Sequence, residues 1–165
     1  MIFLDTCIWI ELVAARGPVT EKEIRQATLA SNLINEIGEK QEKIITCREQ
    51  ILEIISAIEK YKMREYNRNC SGTGTAKVGQ LKEFRKTEAF GETQELCQQA
   101  CDDVRHMAKT VEVAVDIDSI LEKIHLVDIN DCVYYDYCNK NGIDFYTFDG
   151  DFRNISSSEK IHILS

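Results

Sequence analysis

Residues 128–152, DINDCVYYDYCNKNGIDFYTFDGDF, leave the chain few architectures to choose from, because a helix, a turn, a strand and several carboxylates follow one another without a spare residue. Asp128 stands where a helix N-cap belongs, and Asp131 follows three positions later, in the first turn, where the helix dipole favours a carboxylate. Ile129, Cys132, Val133 and Tyr137 recur at helical spacing and predict an apolar stripe, while Asp136 projects from another side and is expected to be solvated. Asn141-Gly142 offers a residue tolerant of positive φ to end the helix, and 143–148 reads as a short buried strand of aromatic and β-branched residues. That strand runs straight into Asp149-Gly150-Asp151. Carboxylates just past a strand end and in the first turn of a helix stand where an open α/β sheet places its ligands.

The N terminus repeats the order strand, acid, helix. Met1-Ile2-Phe3-Leu4 is continuously apolar, as a central parallel strand covered on both faces should be, and it ends in Asp5-Thr6. A helix over 7–15 follows, with Ile8, Leu12 and Ala15 on one side, Trp9 and Val13 on another, and Thr6 as its N-cap. By itself, Asp5 reads equally well as a simple cap. Gly17-Pro18 breaks the chain, and Thr20 with Glu23 forms a capping box for a helix reaching about residue 38, striped by Leu29, Leu33, Ile34 and Ile37. Ile44-Ile45-Thr46 marks a second strand, and Ile51, Leu52, Ile54, Ile55 and Ile58 mark the helix after it. Glu53 interrupts that apolar run, so it is turned either to the surface or to a polar site; Glu49, four residues earlier on the same face, is its rival.

Residues 67–79, NRNCSGTGTAKVG, form a loop without hydrophobic period. They are not a P-loop, since the Gly-Lys-Ser/Thr ending and the preceding strand are both missing. Polar helices are expected over 80–86 and 93–109; Cys97 and Cys101 share a face of the second without an imidazole partner and read as core thiols. The alternation of valine and acid over 111–117 predicts a third strand or an extended connection. A short helix through Ile120 and Leu121 leads to the segment described first, and after a turn at 156–158 the run 161–164 predicts an edge strand.

The whole chain sets further bounds. Its 165 residues, 44% of them hydrophobic, suit a single domain with a sizeable core. No basic leader precedes the first strand and no apolar run approaches a membrane span, so a cytoplasmic protein with no membrane partner is expected. Seven cysteines without pattern read as reduced thiols. A net charge of −8 argues against polyanion binding over the whole surface, but residues 60–86 carry eight basic side chains against two acidic ones.

The acids at element ends are Asp5, Glu53, Asp131 and Asp149, with Asp151 beside the last. Carboxylates gathered in one cleft repel one another and call for a hard divalent cation; ligands that are all oxygen favour Mg2+ or Mn2+ over Zn2+. Four segments carry a resemblance as well. FLDTCIWIEL, IITCREQILEI, INDCVYYDYC and YTFDGDF, in this order, resemble the four motifs of the PIN domain, the nuclease fold of VapC-type toxins. Asp5, Glu53, Asp131 and Asp149 match the family's four acids, Thr6 and Thr147 the hydroxyls often found beside them, and Asp151 a frequent extra acid.

The resemblance implies an α/β fold of three layers, α/β/α, with a central, mostly parallel sheet of four or five strands. It also implies Mg2+ or Mn2+ and endonucleolytic hydrolysis of RNA. Asp5, Asp131 and Asp149 would hold the metal, Glu53 would bind it through water or position the attacking water, and Asp151 would hold a second ion or support the turn. A toxin would have a small antitoxin as partner, and a homodimer is left open. The second motif is loose, with Glu49 and Glu53 on one face. Residues 60–110 exceed what a compact toxin needs and read as a helical insertion in one domain over 1–165, with Lys82, Arg85 and Lys86 as candidate RNA contacts. The same acids would serve a processing nuclease or one acting on DNA. A non-catalytic PIN-like module would be marked by loss of an acid, and none is lost; a cysteine hydrolase built on Cys7 or Cys132 with His125 lacks an identifiable adjacent base.

Overall fold

The apolar N-terminal run becomes β1 (Ile2–Leu4), buried along its whole length at the middle of a five-stranded sheet. The structure is a computed structural model that describes residues 1–14, 18, 20–70, 76–155 and 158–165. β2 (Ile44–Cys47), β3 (Ala108–Val111), β4 (Asp144–Thr147) and β5 (Ile161–Ile163) complete the sheet in the order β3-β2-β1-β4-β5, every pairing parallel. The register sets Phe3 between Ile45 and Phe145. Side chains alternate across a strand, so Ile2, Leu4 and Ile44 enter one core while Phe3, Ile45, Cys47 and Phe145 enter another.

Helices close both cores. α1 (Thr6–Val13), α2 (Glu21–Glu39), α3 (Arg48–Cys70) and, beyond the short α4 (Leu81–Phe84), α5 (Phe90–Met107) supply the first through Ile8, Trp9, Leu33, Ile37, Ile54, Ile58, Ala100 and Val104. α6 (Ile117–Lys123), α7 (Ile129–Asn141) and the 3-10 turn Gly150–Asn154 supply the second through Ile120, Cys132, Tyr134, Cys138 and Phe152. The result is the three-layer α/β/α arrangement expected from the sequence, with the sheet all parallel. The chain moves from β1 outward to β2 and β3, then crosses back to β4 and β5. The winding therefore reverses between β1 and β4, the switch point where such sheets hold ligands at the carboxyl ends of their strands.

Local signals explain most boundaries. Thr20 and Glu23 make both bonds of the capping box, the Glu23 N–H donating to Thr20 Oγ1 at 3.2 Å and the Thr20 N–H to Glu23 Oε2 at 2.9 Å. Gly142 ends α7 in the left-handed region at φ 62°. Of the two readings of 111–117 the extended connection holds: β3 takes in only Val111 of it and lies at Ala108–Val111, an edge strand whose exposed Lys109 and Thr110 leave no alternating signal. Four other expectations need correction. Thr6 is the first residue of α1 and Asp5 occupies the cap position without a side-chain cap bond. Asp128 likewise sits at the α7 cap position without capping. On α7, Ile129 is exposed and the buried residues are Cys132, Val133, Tyr134, Tyr135 and Cys138, because the helix is covered more broadly than a narrow stripe. Asp136 is half-buried, one oxygen 3.1 Å from Lys123 Nζ and the other buried without a hydrogen-bond partner among the described residues.

All seven cysteines are free thiols. No helix among the described residues is long and apolar enough to cross a membrane. Ala15, Gly17, the centre of the 67–79 loop at 71–75, and Ser156-Ser157 lie outside the described residues.

Candidate active site

Four elements deliver the acids to the switch point. Asp5 follows β1, Asp149 follows β4, Asp131 stands in the first turn of α7, and Glu53 lies in the second turn of α3; all four line one cleft of about 340 Å³. Glu49, one turn earlier on α3, is exposed and lines neither this cleft nor its neighbours, so Glu53 is the α3 acid that meets the others. Asp151 is exposed in an adjoining hollow of about 230 Å³ that also takes in His125, Asp128, Asp131 and Asp149. Asp131 and Asp149 thus form the wall between the two spaces.

Hydroxyl groups hold the carboxylates in place. Thr147, fully buried, donates to Asp5 Oδ2 at 2.5 Å and accepts the Asp149 N–H at 2.8 Å, so one side chain ties the acid after β1 to the backbone of the acid after β4. Thr6 donates to Glu53 Oε2 at 2.9 Å, and Tyr134 donates to the same oxygen at 2.8 Å. Both bonds fall on Oε2, which leaves Oε1 without a donor among the described residues. The Asp151 N–H donates to Asp149 Oδ1 at 2.8 Å, a tight turn that fixes the fourth acid. Cys7 donates its thiol proton to Asp5 Oδ2 at 3.1 Å and accepts the Phe148 N–H at 3.3 Å.

Electrostatics reflect this crowding. Burial raises the Asp5 carboxyl above its ordinary range, opposed by the bonds from Thr147 and Cys7 and reinforced by the charge of Glu53. Burial, and then the charges of Asp5, Glu53, Asp149 and Asp128, push Asp131 up to about 8. Burial also raises the Cys7 thiol well beyond the physiological range, as does the neighbouring Asp5, so Cys7 is a neutral donor and not a nucleophile. Cys132 is raised by burial and faces the backbone carbonyl of Val127, which removes the second candidate for thiolate chemistry.

The residues fit a hard divalent cation by their chemistry. The acids facing the cleft offer oxygen only, and a cation there would relieve the repulsion that lifts Asp131. Among the described residues no three acid, histidine or cysteine side chains are already closed into a cage, so the carboxylates would have to draw in around an ion.

The family model for the PIN domain matches residues 2–157, a span that takes in all four acids. The chain belongs to the PIN domain family. No curated protein and no solved structure matches it. PIN domains are nucleases that generally depend on divalent metal, and in this PIN domain the cleft acids come from the segments that resembled the family's motifs.

Three basic residues singled out from the sequence lie elsewhere. Lys82 and Lys86 are exposed on and just after α4 and line no part of the cleft. Arg85 is committed to Glu59: its Nε and Nη2 donate to the two carboxylate oxygens at 2.7 and 2.6 Å, and the Glu59 side chain is only 7% exposed. Sequence reasoning passed over Tyr134, which holds Glu53, and Gln26 and Phe148, which line the cleft, and it weighed Cys7 only as a nucleophile, where the structure shows it bonded to Asp5. Tyr134 had a signal, since it lies three residues after Asp131 on the same side of α7. Gln26 had none, because α2 reaches the cleft only through tertiary packing.

Proposed function

We propose that this PIN domain is a metal-dependent endoribonuclease of the VapC toxin type, using Mg2+ or Mn2+ to hydrolyse RNA phosphodiester bonds. The observation that carries the proposal is the convergence of Asp5, Glu53, Asp131 and Asp149, from four separate elements, on one cleft at the switch point. A divalent ion supplies, when bound, polarisation of the phosphodiester and acidification of a water. Asp5, Asp131 and Asp149 would hold it, with Asp151 available for a second ion from the adjoining hollow. Glu53, held by Thr6 and Tyr134 through one oxygen, keeps its other oxygen to orient the attacking water. Thr147 sets the distance between the first and fourth acids. The choice of RNA over DNA rests on the resemblance of the four motifs to those of VapC-type toxins.

A toxin needs restraint inside its own cell, so the proposal includes a small antitoxin that covers the acid cleft with a basic side chain. Ile124, exposed and lining the adjoining hollow, gives such a partner an apolar contact next to the acids. A cytoplasmic location and a homodimer complete this reading.

The test is cleavage of labelled RNA with Mn2+, with Mg2+ and with excess EDTA, beside Asp131→Asn. The proposal expects cutting only with metal and none by the variant, with the variant's circular dichroism unchanged. Full activity in EDTA, or in Asp131→Asn, would refute it.

A further inference from the structure

The two flanks of the acid cleft carry opposite charge. On the α7 side the adjoining hollow holds Asp128, Asp131, Asp149 and Asp151 with no lysine or arginine. On the α2 side a second hollow of about 230 Å³ shares Gln26 and Phe148 with the cleft; Lys22, Arg25, Leu29, Leu164 and Ser165 also line it, and no aspartate or glutamate side chain does. Lys22 and Arg25 are three apart on α2, hence neighbours on one side of the helix, and both are exposed. Among the described residues neither is paired with a carboxylate, in contrast to Arg48, Arg85, Lys123 and Lys160, each of which is. Phe148 is half-buried directly before Asp149, its backbone fixed on Cys7, and its side chain lines both spaces.

A polyanion brought to an acidic cleft is repelled unless cations beside the cleft hold its flanking phosphates, and of the two hollows beside this cleft the one on α2 is lined by lysine and arginine. We infer that a single-stranded polynucleotide crossing the acid cleft leaves it over α2, with its flanking phosphates on Lys22 and Arg25 and an unpaired base against Phe148. The inference rests on the nuclease reading of the cleft and adds the path and form of the substrate. An unpaired base is required because a base inside a duplex has no free face for an aromatic ring. The α7 flank, whose hollow is lined by no lysine or arginine among the described residues, gives flanking phosphates no cationic side chain to settle on.

The test measures binding of a fluorescein-labelled RNA of about 12 nucleotides, within the site size of one small domain, to the Asp131→Asn protein over a range of salt. Lys22→Gln with Arg25→Gln is expected to reduce the slope of log affinity against log salt by about 1.4, two phosphate contacts at roughly 0.7 each. Lys82→Gln with Lys86→Gln leaves the slope unchanged. Phe148→Leu weakens binding at least about fivefold with the slope kept, and Phe148→Tyr restores it. An unchanged slope in the Lys22/Arg25 variant, no binding by the parent, or duplex RNA held as tightly as the single strand overturns the inference. The two readings separate in the same experiment. If unsubstituted protein with Mn2+ cuts RNA while the slope ignores Lys22 and Arg25, the path is wrong and the nuclease stands. If it cuts nothing while the slope follows those residues, the nuclease is wrong and the strand-binding path stands.

Discussion

At neutral pH the crowded cleft works against the stability of the free protein, and Asp131→Asn isolates a large part of that effect. Burial and the charges of four neighbouring acids lift the Asp131 carboxyl from 3.8 to about 8 in the folded state. In the unfolded chain it ionises near its ordinary value. Between those two values the folded protein holds a proton that the unfolded chain has released, so stability falls as pH rises through this window. The contribution is fully retained below about pH 4 and fully lost above about pH 8. At pH 7 the interval above 3.8, at about 1.36 kcal/mol per pH unit, gives a ceiling of about 4 kcal/mol. Asp131 lines an open cleft, and solvent screening leaves about 1–2 kcal/mol of it. Asparagine keeps the shape and cannot ionise, so Asp131→Asn should raise the melting temperature by about 2–8 °C near pH 7, at roughly 2–4 °C per kcal/mol for a chain of this size. Near pH 4 the gain should vanish, because aspartic acid is neutral in the folded state there too. Thermal unfolding followed by circular dichroism in EDTA, from about pH 4 to pH 8.5, measures this. An equal gain at both ends of that range, or none near pH 7, would refute the electrostatic reasoning and leave only packing. Added Mn2+ should raise the melting point of the unsubstituted protein near pH 7 and do less for the variant.

Three further outcomes follow from particular contacts. Tyr134→Phe removes one of two hydroxyls on Glu53 Oε2 from a fully buried site without a cavity, so single-turnover RNA cleavage should fall roughly ten- to hundredfold while the near-UV spectrum is unchanged; undiminished cleavage would deny Tyr134 a positioning role. Arg85→Gln strands the buried Glu59 carboxylate and should lower the urea midpoint, while Lys82→Gln leaves it in place and adding Glu59→Gln recovers most of the loss. Gly142→Ala meets no atom within 4 Å, so its cost should be the left-handed backbone alone, about 1 kcal/mol, with activity intact.

How far the sequence could be read depended on whether a feature was local. β1 was legible because a strand covered on both faces must be continuously apolar, and α2 because a capping box is written in four consecutive residues. β3 left little trace because it is an edge strand paired on one side only, so its exposed Lys109 and Thr110 carry no hydrophobic pattern and its position is set by alignment with Ile45 and Thr46. The acids Asp5, Asp131 and Asp149 were legible since each sits at an element end, where a carboxylate is conspicuous. The groups that orient them were not, because the Tyr134 to Glu53 and Thr147 to Asp5 bonds join residues 81 and 142 positions apart. The pairing of Arg85 was hidden for a related reason: charge counting sees Arg85 but not the Glu59 that holds it.

The topology explains why those long-range hydroxyl bonds matter. Glu53 is carried by α3 in one helical layer and Asp131 by α7 in the other, and the two layers are separated by the sheet everywhere except beyond the carboxyl ends of β1 and β4. The acids can therefore share a cleft only if both layers keep their register on the sheet. The Tyr134 to Glu53 bond links the layers directly across the end of β1, while Thr147 links the two strand ends beneath them. Ionisation of the crowded acids pushes these elements apart, and two hydroxyl links together with the packing of Phe3 against Tyr134 and Phe145 hold them. Removing Tyr134 and Thr147 hydroxyls together should therefore lower metal affinity by more than the product of the single losses. Isothermal titration with Mn2+ of Tyr134→Phe, Thr147→Val and the double variant measures that coupling. Strict additivity would mean that each acid is held independently and that the layers do not act on one another.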